Sequence, residues 1–375
     1  MSIQTAIQPS AETPGAVAET RADQYHLARV EKVSTTEYVA GQYKSINRAY
    51  DVVFVGGSRA GEQREIKQDV TVSLDNVSAV SQSDIGPGER VVVAVVSGGD
   101  GEENYFLADR YRLPGLAPVL AFFFALVLSL GRKKGLGSLL GLAFSVYVIS
   151  AYLVPQILAG SNPLLVSILS SLAIAVVSLY LAHGFNKRTS VALLGMVITV
   201  GLSGLFATAG VKWANLFGLG SEDALILQQL PAFSGLDFSG LLLAGIMIGV
   251  LGVLDDTATV QSATVEELKR ANPELTFSEL YRRGISVGRE HISSLVNTLF
   301  LAYAGSQLLL FLFFYSDRNT PLWVTLNSEF IAEEMVRTLV GSVALVLAVP
   351  ITTGLAAYFF SKEKIERKDS SIHIH

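Results

Sequence analysis

The residues with most chemical potential stand in one apolar stretch, Leu254-Asp255-Asp256-Thr257, at the end of a run that begins near Ser239. Gly245, Gly249, Gly252 and Asp256 follow at i, i+4, i+7 and i+11, so they share one helical face. Small residues let a neighbouring helix approach closely, which aims Asp256 at packed protein rather than lipid. Asp255 lies further round, in register with Thr259, Ser262 and Glu266. If the helix enters a bilayer near Gly240, both carboxylates lie roughly 22 Å in, within a core about 30 Å thick. A carboxylate there costs several kcal/mol unless it is paired, protonated or wet. One reading is therefore a proton- or cation-handling site. The other is an early helix end, with two ordinary carboxylates among headgroups.

The stretch that follows supplies candidate partners. The helix is expected to run on through Val265–Arg270 and stop before Asn272-Pro273. Thr276-Phe277-Ser278-Glu279 is a capping box that opens the next helix. That helix carries Arg282 and Arg283 and leads through Arg289 and His291 to a small or polar face of Ser294, Thr298, Ala302 and Gly305, with Asn297 nearby. Helices joined by such a hairpin are antiparallel neighbours, so Arg289 or His291 is the expected partner of Asp255 or Asp256. Arg289 also reads as a charge anchor, His291 as a structural hydrogen bond, and Asn297 as interhelical glue. Glu329, Glu333, Glu334 and Arg337 surround the opposite mouth, where solvation is the expectation.

Composition says what must hold these residues. Only 16% of the 375 residues are charged, against about 25% in soluble domains, and mean hydropathy is +0.44. Apolar runs predict about seven transmembrane helices, near 113–131, 136–154, 163–182, 190–210, 239–260, 291–314 and 337–360, within a helical membrane domain over 111–361. Residues 211–238 are too polar to span and suit an interfacial segment. Gly137-xxx-Gly141 is a helix-packing motif. Lys and Arg fall about fourteen to three on one set of connections, which is therefore cytoplasmic, together with the tail 362–375.

Residues 25–110 read as a small all-β domain, OB-like, because β-rich runs such as Asp51–Val55, Asp69–Leu74 and Glu89–Val96 alternate with turns such as Gly86-Pro87-Gly88. Charge asymmetry places this domain outside the cell. Residues 1–24 read as a disordered tail without the apolar core of a signal peptide. Export then needs either the first span as a reverse anchor or a helix upstream of this chain. The absence of cysteine excludes thiolate metal sites and cysteine nucleophiles. No metal motif, phosphate loop or nucleophile elbow is present, no cofactor is implied, and no basic tract suggests nucleic acid.

Five segments carry a resemblance to the YibE/F family of bacterial multi-pass membrane proteins: Gly131–Leu140, Gly245–Thr257, Val287–His291, Asn297–Gly305 and Leu326–Arg337. It implies a polytopic protein of the bacterial inner membrane with an extracytoplasmic β domain, and it carries no activity. A helix ending in Asp-Asp-Thr followed by a charged stretch and a small-residue return helix is also similar to the late helices of SecF and its resistance-nodulation-division relatives. That likeness implies proton coupling at Asp255 and Asp256. Two functions follow. One is a proton- or ion-coupled transporter or permease of unknown substrate. The alternative is a non-catalytic scaffold or envelope assembly factor whose β domain binds another envelope protein. Neither is an enzyme, both have the lipid bilayer as a partner, and both are compatible with an oligomer.

Overall fold

Period-two burial builds the first unit. Along one strand Ile46, Arg48, Tyr50, Val52 and Phe54 turn inward while their neighbours face out, as a half-buried sheet requires. The computed structural model describes residues 24–40, 43–73, 85–98, 102–306 and 320–363, together with 308, 312, 315 and 316. Of the tail expected over 1–24 only Gln24, the first residue of a strand, is described, and residues 364–375 of the tail expected over 362–375 lie outside the described set. The chain divides into two units, Met1–Ala125 and Leu126–His375.

The first unit is a curled antiparallel half-barrel. Its strands are β1 (Gln24–Ala40), β2 (Tyr43–Phe54), β3 (Gln63–Ser73), β4 (Arg90–Ser97) and β5 (Glu103–Arg110), in the order β3-β2-β1-β4-β5. The long β1 pairs with β2 along most of its length and with β4 over Gln24–Arg29. A register shift between Val30 and Lys32 sits where the β4 pairing ends, and such bulges sharpen strand curvature. The core is Ala28, Val30, Tyr50, Val52, Phe54, Ile66, Ile85, Val91 and Val93. The expected turn at Gly86-Pro87-Gly88 forms. Gly88 takes φ +89°, a conformation that favours glycine, and its N–H donates to the Val30 carbonyl at 2.7 Å.

Curling brings the edge strands β3 and β5 near each other, and polar side chains from β3 and from the turn Gly57–Arg59 before it reach β5. Arg59 donates to Glu103 and, at 2.8 Å, to the Tyr105 hydroxyl, which donates to Glu103 Oε2 at 2.6 Å. The Arg64 guanidinium lies 5.4 Å from the Tyr105 ring centre. The Arg59 and Tyr105 hydrogen bonds hold the Glu103 carboxyl at about 2, well below its ordinary 4.5.

The helices are α1 (Leu113–Val148), which passes through a π turn at Ile149–Leu153 into α2 (Val154–Leu158), then α3 (Pro163–His183), α4 (Lys187–Trp213), α5 (Glu222–Gln229), α6 (Phe238–Ala271), α7 (Phe277–Ser306), α8 (Leu322–Leu326) and α9 (Glu329–Ser361). Asn162, Asn186 and Asp237 cap α3, α4 and α6 by accepting from backbone N–H groups. The centre of the bundle is α4, α6 and α9, with α3 and α7 packed onto it. Gly137 and Gly141 act as the packing motif suggested. A side chain at Gly137 would meet the Leu181 backbone, and one at Gly141 would meet Ser178, both on α3.

Five helices, not seven, are long and apolar enough to cross a membrane among the described residues: Leu113–Leu158, Pro163–His183, Lys187–Trp213, Phe238–Ala271 and Glu329–Ser361. The difference has two causes. The expected spans 113–131 and 136–154 fall in one continuous 46-residue stretch, interrupted at Arg132, where φ is 50° and ψ −129°. The expected span 291–314 begins inside α7, whose first half is charged and amphipathic, and residues 307, 309–311, 313–314 and 317–319 lie outside the described set. As expected, α6 ends before Asn272-Pro273. The capping box forms too, with Thr276 N–H donating to Glu279 Oε2 at 2.9 Å.

Candidate functional site

The packing face of α6 is made of large residues. Leu242, Ile246, Met247, Val250, Leu254, Thr257, Ala258 and Gln261 are buried. The small residues that receive them stand on the partners, among them Gly204 and Ala207 on α4 and Ala344 and Ala348 on α9. Among the described residues the glycine face is the more open one, touched by single side chains of α7 and α9. Gly245, Gly252 and Asp256 are exposed among the described residues, and Gly249 is half-buried. Among the described residues Gly252 has no neighbour where a side chain would stand, Gly249 meets the Tyr303 hydroxyl at 3.4 Å, and Gly245 meets the Arg337 guanidinium at 3.2 Å.

Asp255, not Asp256, is the enclosed carboxylate. It is half-buried, and its Oδ1 is shielded from solvent without a hydrogen bond. Its electrostatic neighbours are His183, at the end of α3, and Asp256; His183 also feels Lys134 and Arg188. An open cleft of about 240 Å³ lies beside them, lined by Lys134, His183, Arg188, Thr189 and Thr259, with Ala192, Val260 and Ala263 as its apolar wall. Basic side chains from α1, from the end of α3 and from the first turn of α4 therefore converge near one carboxylate of α6.

The other expected partners lie elsewhere. Arg289 and Asn297 are exposed. His291 is half-buried, with Nδ1 enclosed and unpartnered. No hydrogen bond or ion pair among the described residues joins either aspartate to Arg289 or His291. Thr259 donates to the Asp255 and Asp256 carbonyls at 2.8 and 3.0 Å, and Ser262 donates to the Arg188 carbonyl at 2.9 Å. Both hydroxyls thus serve backbone rather than carboxylate. The reason for the missed pairing is angular. Gln261 faces α7 and α9: it donates to the Gly284 carbonyl and to Thr353 Oγ1, each at 2.7 Å. Asp255, six residues earlier, points about 240° round the helix from Gln261, towards α3.

The junction at Gln261 was not legible as a site. Gln261 is 1% exposed, and Gly284 and Gly288 of α7 leave room for its amide. At the far end of the bundle, solvation proves the wrong expectation for two glutamates. Glu329 accepts from the Phe217 and Leu219 N–H groups at 2.6 and 3.3 Å, and Glu333 accepts from Gly220 N–H at 2.9 Å. Arg337 pairs with Glu334 at 3.3 Å.

Comparison with known proteins places the chain in a family. The family model described as YibE/F-like protein matches residues 119–362, which takes in α2 to α9 and most of α1. No curated protein and no solved structure matches the chain.

Proposed function

The chain belongs to the YibE/F-like protein family, and from that premise and the surroundings of Asp255 we propose that it is a proton- or ion-coupled membrane transporter or permease. The carrying observation is one carboxylate, Asp255, set in an apolar stretch, with an enclosed oxygen that has no hydrogen bond and an imidazole as its electrostatic neighbour beside an open cleft. Charge on such a group is tolerated only when a compensating charge is near, and its imidazole neighbour His183 lines the cleft. Lys134, Arg188, His183 and Asp256 are the groups that set this balance. The reading assigns no catalysis to the chain.

The membrane frame goes with it. The 46-residue apolar stretch is read as two spans meeting at Arg132, and α7 with the residues after it as another, for a total of seven. Lys and Arg asymmetry supports a cytoplasmic Asp255 end, an extracytoplasmic β unit and residence in the bacterial inner membrane. The order β3-β2-β1-β4-β5, with β3 and β5 near each other, supports an OB-type barrel.

Sealed vesicles carrying the parent chain should hold at least one solute at a gradient that a protonophore collapses, as read by untargeted mass spectrometry. Asp255→Asn should abolish that gradient while still inserting. A gradient unchanged in Asp255→Asn sinks the coupling role.

A second reading, an envelope scaffold, draws on the distal end of the β1–β2 hairpin. Tyr38, Val39 and Tyr43 are exposed there at 66%, 55% and 59%, as contact residues are before a partner covers them. Photo-crosslinking from position 38 or 43 in intact cells tests it. Capture of one envelope protein supports the scaffold, and adducts with lipid alone refute it.

A further inference from the structure

We propose that the cleft beside Asp255 binds an anion of the phosphate class, held by Lys134 and Arg188 with His183 as a third donor. As a statement about substrate this rests on the transporter reading above; as a binding site it is tested by itself.

Three observations carry it. First, the cleft is a real volume of about 240 Å³, and the charged and titratable groups lining it are Lys134, Arg188 and His183. Neither aspartate lines it. Second, the cations are under-used. The described residues give Lys134 no carboxylate partner. Among the described residues Arg188 has one carboxylate contact, Nη1 to Glu266 at 3.5 Å, and a guanidinium with five N–H donors has capacity for a further acceptor. Glu266 is itself shared with Arg270 at 2.7 Å, so it does not neutralise Arg188 alone. Third, the wall behind these groups is Ala192, Val260 and Ala263. An apolar wall lowers the local dielectric and strengthens charge-assisted hydrogen bonds.

The donor set favours phosphate over a planar carboxylate. A planar guanidinium and a compact ammonium come from different helices, and an imidazole comes from a third. Donors that converge from several directions suit a tetrahedral group with several oxygens, whereas a carboxylate is satisfied by one fork. Thr189 adds the first turn of α4, whose N-terminal dipole points positive. Such a group could come from a soluble phosphate or from the headgroup of an acidic phospholipid at the bilayer surface.

The experiment uses the full chain in nanodiscs. In discs of neutral lipid, its unfolding midpoint is followed as inorganic phosphate is raised, with ionic strength held constant by chloride. In a second arm, discs contain phosphatidylglycerol, and retained lipid is counted by native mass spectrometry. A saturable rise with phosphate identifies a soluble ligand. Phosphatidylglycerol retention that suppresses the phosphate response identifies a headgroup. In either case Lys134→Gln should weaken binding by about tenfold or more, the value of one charge-assisted hydrogen bond. Lys133→Gln, exposed and outside the cleft, should leave it unchanged. Arg188→Gln should act in the same sense as Lys134→Gln. A response in neither arm overturns the proposal, and so does binding that Lys134→Gln leaves intact in a folded protein.

Discussion

Replacing Gln261 tests whether the junction of α6, α7 and α9 rests on hydrogen bonds or on shape. The side chain donates two interhelical bonds, to Gly284 O and Thr353 Oγ1, both 2.7 Å. In membrane bundles such bonds contribute about 0.6–1.7 kcal/mol each, so losing both costs about 1–3 kcal/mol. The lower half of that range is favoured, because Thr353 Oγ1 keeps its own bond to the Val349 carbonyl at 2.6 Å. Gln261→Leu preserves volume and should show this loss alone. Gln261→Ala also leaves a void of roughly 60 Å³, which adds about 1.4 kcal/mol at about 24 cal/mol per Å³. The expected order is therefore parent, then Leu, then Ala, with the last step near 1.4 kcal/mol. Reversible unfolding by SDS in mixed micelles, read by far-UV circular dichroism, measures both steps. A Gln261→Leu protein as stable as the parent would falsify the hydrogen-bond account and leave packing by Gly284 and Gly288 as the sole cause.

Two further outcomes follow from the geometry. The Glu103 carboxyl, held at about 2 against an ordinary 4.5, stabilises the β unit fully above pH 4.5, and this contribution is lost as pH falls from there through 2. Glu103→Gln should remove that pH dependence of β-unit unfolding, and an unchanged acid profile would show that the Arg59–Glu103–Tyr105 contacts do not stabilise the unit. Gly137→Ala places a methyl on the Leu181 backbone of α3 and should destabilise the bundle by about 1–3 kcal/mol as an overpacking change; a neutral result in the same SDS titration would mean that α1 and α3 do not pack there.

Much of the architecture was legible because its signals are local. The capping box at Thr276 and Glu279, the stop before Asn272-Pro273, the turn at Gly88 and the Gly137–Gly141 contact each depend on a few adjacent residues. The site was less legible because it depends on direction around a helix. Gly245, Gly249 and Gly252 suggested a packing face by the rule that small residues mark interfaces. Here the knobs are on α6 and the small residues on its partners, so the same rule holds with the helices exchanged. Lys134 and Arg188 read as members of a charge asymmetry, and only folding brings them together with His183. One signal was available: His183 stands four residues before Lys187 and five before Arg188, across a turn at Gly184 too tight to carry them apart.

The seating of α7 has a mechanical meaning. Side chains at its Gly284 and Gly288 would strike Thr353 and Val349 of α9 before they reached Gln261 of α6, so at this end the helix backbone itself is in contact. Farther along, α7 is held through long side chains, Leu299 against Gly341 of α9 and Tyr303 against Gly249 of α6. One end is therefore fixed by backbone and the other rests on rotamers. A methyl added at Gly284 or Gly288 must shift a whole helix, whereas one added at Gly249 meets a single side chain that can turn aside.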